Sequence, residues 1–289
     1  MRRRLPLLAI AALPWLVLAP AGAREPFAMT GPFTPGGLVT ITLPEGARDL
    51  RVNGEPVPEA SPGVHLVGFG RDETGQVRLS ARGRDGTLLV TEIPLASRSF
   101  NIQRLPALGT TDLPDPQWVK RREAEVARTA AAKKAVADSP GAASGWQERF
   151  QRPVSGGRVS GVYGSQRFYG GLPRSPHWGL DIAVPTGTPV RAPASGIVRL
   201  AEGPFLIEGN IVLLDHGAGL ASVYIHLHEI RVKPGDVVKQ GDVLGTVGTT
   251  GRSTGPHLHW GVSLIRPGDA AQAFREVRLD PALLLAGRD

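Results

Sequence analysis

Glycine and proline interrupt this 289-residue chain 37 and 26 times, too often for a helical bundle or coiled coil. Punctuation at that density suits short strands joined by tight turns. With 41% hydrophobic and 20% charged residues, the chain can still bury a sizeable core and is no disordered polyelectrolyte. The expected fold class is therefore mainly β.

The first residues need separate treatment. Arg2, Arg3 and Arg4 precede an apolar stretch from Leu7 to Ala19, and Ala21-Gly22-Ala23 offers the small residues read by a signal peptidase. Residues 1–23 are read as a cleaved secretory signal. The apolar run is short and broken by Pro14, and no later run reaches the roughly 20 residues that span a bilayer, so no stable membrane insertion is expected after cleavage. The formal charge of +7, less the three signal arginines with no acid lost, is +4. This mild surplus suits an anionic envelope polymer and is too weak and dispersed for nucleic acid. With no cysteine there are no disulfides, so stability outside the cytoplasm rests on packing and on any bound metal.

Three regions follow. In residues 26–105, short alternating runs such as Leu38 to Leu43 and Val77 to Ser80, with Asn53-Gly54 as a hairpin signal, predict a small antiparallel β-sandwich without clustered chemistry. In residues 111–150, Asp115 as N-cap and Pro116 at the first helical position open a charged, alanine-rich helix through Val136. Its thin apolar stripe predicts a solvated spacer. Residues 151–289 return to strands and turns.

Six of the seven histidines, His177, His216, His226, His228, His257 and His259, fall in that last region. His177 and Asp181 stand four apart, which gives equal parity on a strand. His257 and His259 flank Leu258, so both imidazoles point to one face while Leu258 points inward. Regular alternation likewise places Tyr224, His226 and His228 on one face; His228 at a strand end and His216 in a turn read as structural. Three nitrogen or oxygen ligands with one open position describe a catalytic zinc, and the lack of cysteine argues against a closed structural site. No His-Glu-x-x-His segment is present, so a base for a metal-activated water would be an imidazole.

These motifs, with Gly255-Pro256-His257-Leu258-His259-Trp260, Tyr224-Ile225-His226-Leu227 and the surrounding Gly187-Thr188-Pro189-Val190, Asp215-His216-Gly217 and Val232-Lys233-Pro234-Gly235-Asp236, resemble the lysostaphin/LytM family of murein zinc endopeptidases, metallopeptidase family twenty-three. The resemblance runs from about Val162 to Ile265. It implies a LytM-like antiparallel β-sandwich with a zinc groove, one Zn2+ per chain held by His177, Asp181 and His259, and His226 and His257 as the uncoordinated catalytic histidines. Tyr169 is the nearest candidate for oxyanion support. The implied activity is hydrolysis of peptide cross-links or stem peptides of peptidoglycan by an exported, periplasmic enzyme, with cell-envelope proteins as further partners. A non-hydrolysing regulator of other wall hydrolases is the alternative, although all five expected positions are intact. A biotinyl- or lipoyl-type carrier, suggested by the turn at Pro234 to Leu244, leaves the histidines unexplained.

Overall fold

The computed structural model describes residues 26–105 and 115–285, so the expected signal at residues 1–23 lies outside the described residues. Strands dominate, as the density of glycine and proline requires.

In the N-terminal region a three-stranded sheet (Ala28–Thr30, Leu38–Thr42, Val64–Gly68) faces a four-stranded one (Glu55–Pro56, Arg48–Val52, Gln76–Arg82, Leu88–Pro94). Both are antiparallel and share a core that includes Ile41, Leu50, Phe69 and Leu79. Along Gln76–Arg82 the buried residues are Val77, Leu79 and Ala81, the strict alternation of a half-buried strand. Asn53 and Gly54 both have positive φ, at 50° and 87°, and join Arg48–Val52 to Glu55–Pro56 in a tight hairpin.

The C-terminal region is built on a ten-stranded sheet whose main path runs Val237–Val238, Gly196–Phe205, Gly209–Asp215, Leu220–Ile230, Leu258–Pro267, Leu180–Ala183 and Arg158–Gly161. Its core gathers Tyr224, Leu227, Leu258 and Trp260, all fully buried.

The helix Pro116–Asp138 begins as expected: the Asp115 carboxylate accepts from the Gln117 N–H at 2.9 Å, and Pro116 occupies the first turn. It is not a solvated spacer. Ala132, Val136 and Ala137 are buried against Phe205, Ile211 and Leu213 of the C-terminal sheet. The apolar stripe is narrow because its residues are small, and small side chains let the helix backbone approach the sheet closely. Trp146 and Phe150, within the residues expected to form the spacer, also enter the C-terminal core.

The two β-regions are in direct contact. Leu38 and Leu66 join the C-terminal core, and Arg98 pairs with the buried Asp280. Arg71 Nε donates to the Gly164 carbonyl at 2.7 Å, and Ile102–Leu105 runs parallel to Gln166–Tyr169. Among the described residues no helix is long and apolar enough to cross a membrane.

Candidate metal centre and catalytic cleft

Two adjacent strands bring distant residues together. Leu180–Ala183 pairs antiparallel with Leu258–Pro267 in a register that sets Asp181 opposite His259, with Leu180 opposite Trp260 and Ile182 opposite Leu258. Because faces alternate, the four flanking residues are buried and the acid and imidazole emerge together on the other face. His177 reaches the same point from the preceding loop. Its Nε2 lies 3.0 Å from Asp181 Oδ1 and 3.0 Å from His259 Nδ1, and the last two atoms are 2.8 Å apart.

Hydrogen bonding defines what these atoms are. His177 Nδ1 donates to the Val162 carbonyl at 3.0 Å, so a neutral ring turns its Nε2 lone pair towards the Asp181 carboxylate. Converging lone pairs and a carboxylate repel unless a cation lies among them. Two imidazole nitrogens and one carboxylate oxygen are also the donor set that zinc takes in catalytic sites. The chain's own residues therefore fit a zinc ion. Burial alone would raise the Asp181 carboxyl, but the two imidazoles against it, His177 and His259, outweigh burial and hold the group well below the ordinary carboxylate range. Burial lowers His259.

Two glycines permit the close approach. A Cβ on Gly161 would stand 2.3 Å from Asp181 Oδ2, and one on Gly179 would stand 2.7 Å from His259 Nε2.

His226 and His257 line the same cleft of about 480 Å3. Their ring centroids are 4.9 Å apart, and His257 Nε2 lies 3.9 Å from Asp181 Oδ1. Each donates through Nδ1 to a backbone carbonyl, His226 to Thr250 at 2.9 Å and His257 to Gly255 at 2.8 Å, which leaves Nε2 of each without a proton when the ring is neutral. Burial pushes His226 down to about 4, with His257 and His259 adding to the effect against the Thr250 bond, so it is neutral near pH 7.

The expected shared face of Tyr224, His226 and His228 is not formed. The register against Gly209–Asp215 shifts, with Tyr224 opposite Val212 and Leu227 opposite Asn210, so three steps on one strand match two on the other. His226 takes up the extra residue with φ at +64°. Tyr224 is turned into the core, where its hydroxyl meets Ser222 Oγ at 2.6 Å, and Ser222 Oγ meets His216 Nε2 at 2.7 Å. His216 is fully buried in this network, in keeping with a structural role, and His228 is exposed. Tyr169 ends the strand Gln166–Tyr169, but its side chain lies outside the described part of the structure.

The helix contributes where no motif signalled it. Glu125, 1% exposed, accepts from the Leu206 N–H at 3.0 Å and from Arg121 Nε at 3.0 Å. Arg122 reaches both oxygens of Glu208, and the Glu208 carbonyl accepts the His226 N–H at 2.8 Å. A buried carboxylate on the helix thus holds the loop that holds His226. Its sequence signal is faint: an Arg-Arg-Glu-Ala-Glu run reads first as a solvated face.

Residues 175–272 match the model described as Peptidase family M23. The chain is 42% identical over 118 residues to the peptidoglycan DD-endopeptidase ShyA of Vibrio cholerae, covering 39% of this chain and 27% of that protein. It is 46% identical over 84 residues to the DD-carboxypeptidase/endopeptidase Mpg of Neisseria meningitidis, covering 29% and 19%. The chain thus spans about a quarter or less of these curated relatives' lengths. A crystal structure described as a peptidase M23 from Pseudomonas aeruginosa is 31% identical, with 87% of this chain and 94% of that chain covered and a TM-score of 0.59.

Proposed function

Because the chain belongs to peptidase family M23, we propose that it is a zinc metalloendopeptidase that hydrolyses peptide cross-links or stem peptides of bacterial peptidoglycan. The observation that carries this reading is the convergence of His177 Nε2, Asp181 Oδ1 and His259 Nδ1 within 3.0 Å, with His226 and His257 over the same cleft. These three residues would hold one zinc ion per chain. Bound there, zinc supplies Lewis acidity that polarises a carbonyl and brings the pKa of water towards neutrality.

The protein's own groups do the rest. His226 and His257 each present an unprotonated Nε2 to the cleft, the state needed to take a proton from an attacking water and pass it to the leaving amine. Once protonated, the same Nε2–H can donate to the developing oxyanion. The Thr250 and Gly255 carbonyls fix both rings, so neither has to reorient during the reaction. The place of action is outside the cytoplasm, in the periplasm, with peptidoglycan as the partner.

The test is mass spectrometry of fragments released from isolated peptidoglycan by the purified protein, beside the same protein stripped of metal. New peptide termini that vanish on stripping are expected. Intact peptidoglycan with zinc-loaded protein would overturn the reading in favour of a regulator of other wall hydrolases.

A further inference from the structure

The cleft around the histidines has an uneven charge. Arg158, Arg167 and Arg252 line it, and its one carboxylate is Asp181, already engaged by His177 and His259. The arginines come from separate segments. Arg158 stands on Arg158–Gly161, opposite Ala183 and so two residues beyond Asp181 along the neighbouring strand. Arg167 lies on Gln166–Tyr169, and Arg252 on the loop before Leu258, where its N–H is held by the Ile207 carbonyl at 2.9 Å. Among the described residues no carboxylate pairs with the Arg158 or Arg252 guanidinium.

An arginine-rich composition does not by itself account for this. The larger cleft, of about 980 Å3 between the N-terminal sheets and the strands Leu258–Pro267 and Phe274–Leu279, is lined by arginines and carboxylates in equal number. There Arg275 is paired with both Glu55 and Asp269. At the histidines, by contrast, Arg158 and Arg252 have no carboxylate partner among the described residues, and a cation among His177, Asp181 and His259 would add to the positive charge.

A concave surface of one sign concentrates ligands of the other, and a guanidinium that stays charged offers a planar fork matched to a carboxylate. We propose that Arg158 and Arg252 select peptides bearing free carboxylates next to the scissile bond over neutral, glycine-rich peptides. This rests on the endopeptidase reading and names the class of peptide within it. A neutral oligoglycine segment would leave both guanidinium groups without a counter-charge.

The test uses pairs of synthetic peptides of one sequence, with free carboxylates or with the same groups as carboxamides, given to the zinc-loaded protein. Binding is read by calorimetry and hydrolysis as kcat/KM. The carboxylate form should be favoured by about tenfold or more at low salt, which corresponds to about 1.4 kcal/mol, and the preference should shrink as ionic strength rises. In Arg158→Gln/Arg252→Gln the preference should fall towards one. Arg82→Gln/Arg84→Gln, the same loss of two charges at exposed positions of the N-terminal region, should leave it intact. Equal handling of the two forms by the unaltered protein, or a preference that survives the double substitution, would overturn the proposal. If neither peptide nor peptidoglycan is cut, the endopeptidase reading fails, while the calorimetric preference still decides the role of the arginines.

Discussion

The N-terminal sheets and the C-terminal sheet share one grammar of short antiparallel strands and glycine turns, and they differ in where alternation breaks. In the N-terminal region it breaks between Arg48 and Arg51, where Asp49 has φ at +61° on an exposed edge. In the C-terminal region it breaks at several points along the sheet, and two of these, at Asp181/Ile182 and beside His226, lie under the cleft. A left-handed non-glycine residue costs of the order of 1–3 kcal/mol and persists where its surroundings over-determine it. For Asp49 the surroundings are exposed, with an exposed Arg48 side chain 3.7 Å from its carboxylate. For His226 the Glu208 carbonyl, the Thr250 carbonyl and the helix behind them all enforce it. At His226 the strained backbone aims a side chain into the cleft.

The largest effects should come from the histidines of the C-terminal cleft. His259→Ala should abolish both zinc retention and hydrolysis, whereas His226→Ala should keep zinc and lose about 10²- to 10⁴-fold in rate. Metal analysis beside peptidoglycan digestion separates the two, and equal zinc loss in both variants would erase the division of roles. Next is the brace: Glu125→Ala leaves the Leu206 N–H, Arg121 and Arg122 short of their shared buried acceptor, and should destabilise by about 3 to 4 kcal/mol in urea unfolding. Its activity should fall even where the protein remains folded. An unchanged rate in the folded variant would show that the helix braces the sheet without aiming His226.

Acid should discriminate next. Burial holds the His216 imidazole down at about 4 against an ordinary 6.5, so below pH 6.5 the unfolded chain takes up a proton that the folded chain refuses. Its stabilising share is complete above pH 6.5 and is lost as pH falls towards 4, amounting to about 2 to 3 kcal/mol at about pH 4.5. Urea midpoints at neutral and acid pH should show this dependence, reduced in His216→Gln. The smallest effect belongs to the exposed break: Asp49→Gly, which frees a left-handed residue on the surface, should change stability by less than about 1 kcal/mol.

Much of this was legible locally. Parity along Leu258–Pro267 separates His257 and His259 from Leu258, and the Asp115-Pro116 start of the helix is a matter of capping chemistry within one turn. Parity failed at Tyr224 and His226 because the bulge depends on the partner strand, whose register no local pattern encodes. The burial of the helix Pro116–Asp138 escapes the local pattern for a related reason. A stripe of alanines has little hydrophobicity to announce it, and its burial depends on the sheet surface it meets.

Residue order alone thus settled the properties with a local physical cause: strand-rich architecture from glycine and proline, helix initiation from Asp115, and the choice of nitrogen and oxygen donors in a chain without cysteine. Tertiary structure decided which donors share a point in space, how a bulge turns His226 to the cleft and Tyr224 to the core, and that the buried Glu125, far earlier in the chain, braces the loop behind that histidine. Those depend on contacts across long loops, and side-chain type and spacing carry no information about such contacts until the strands have paired.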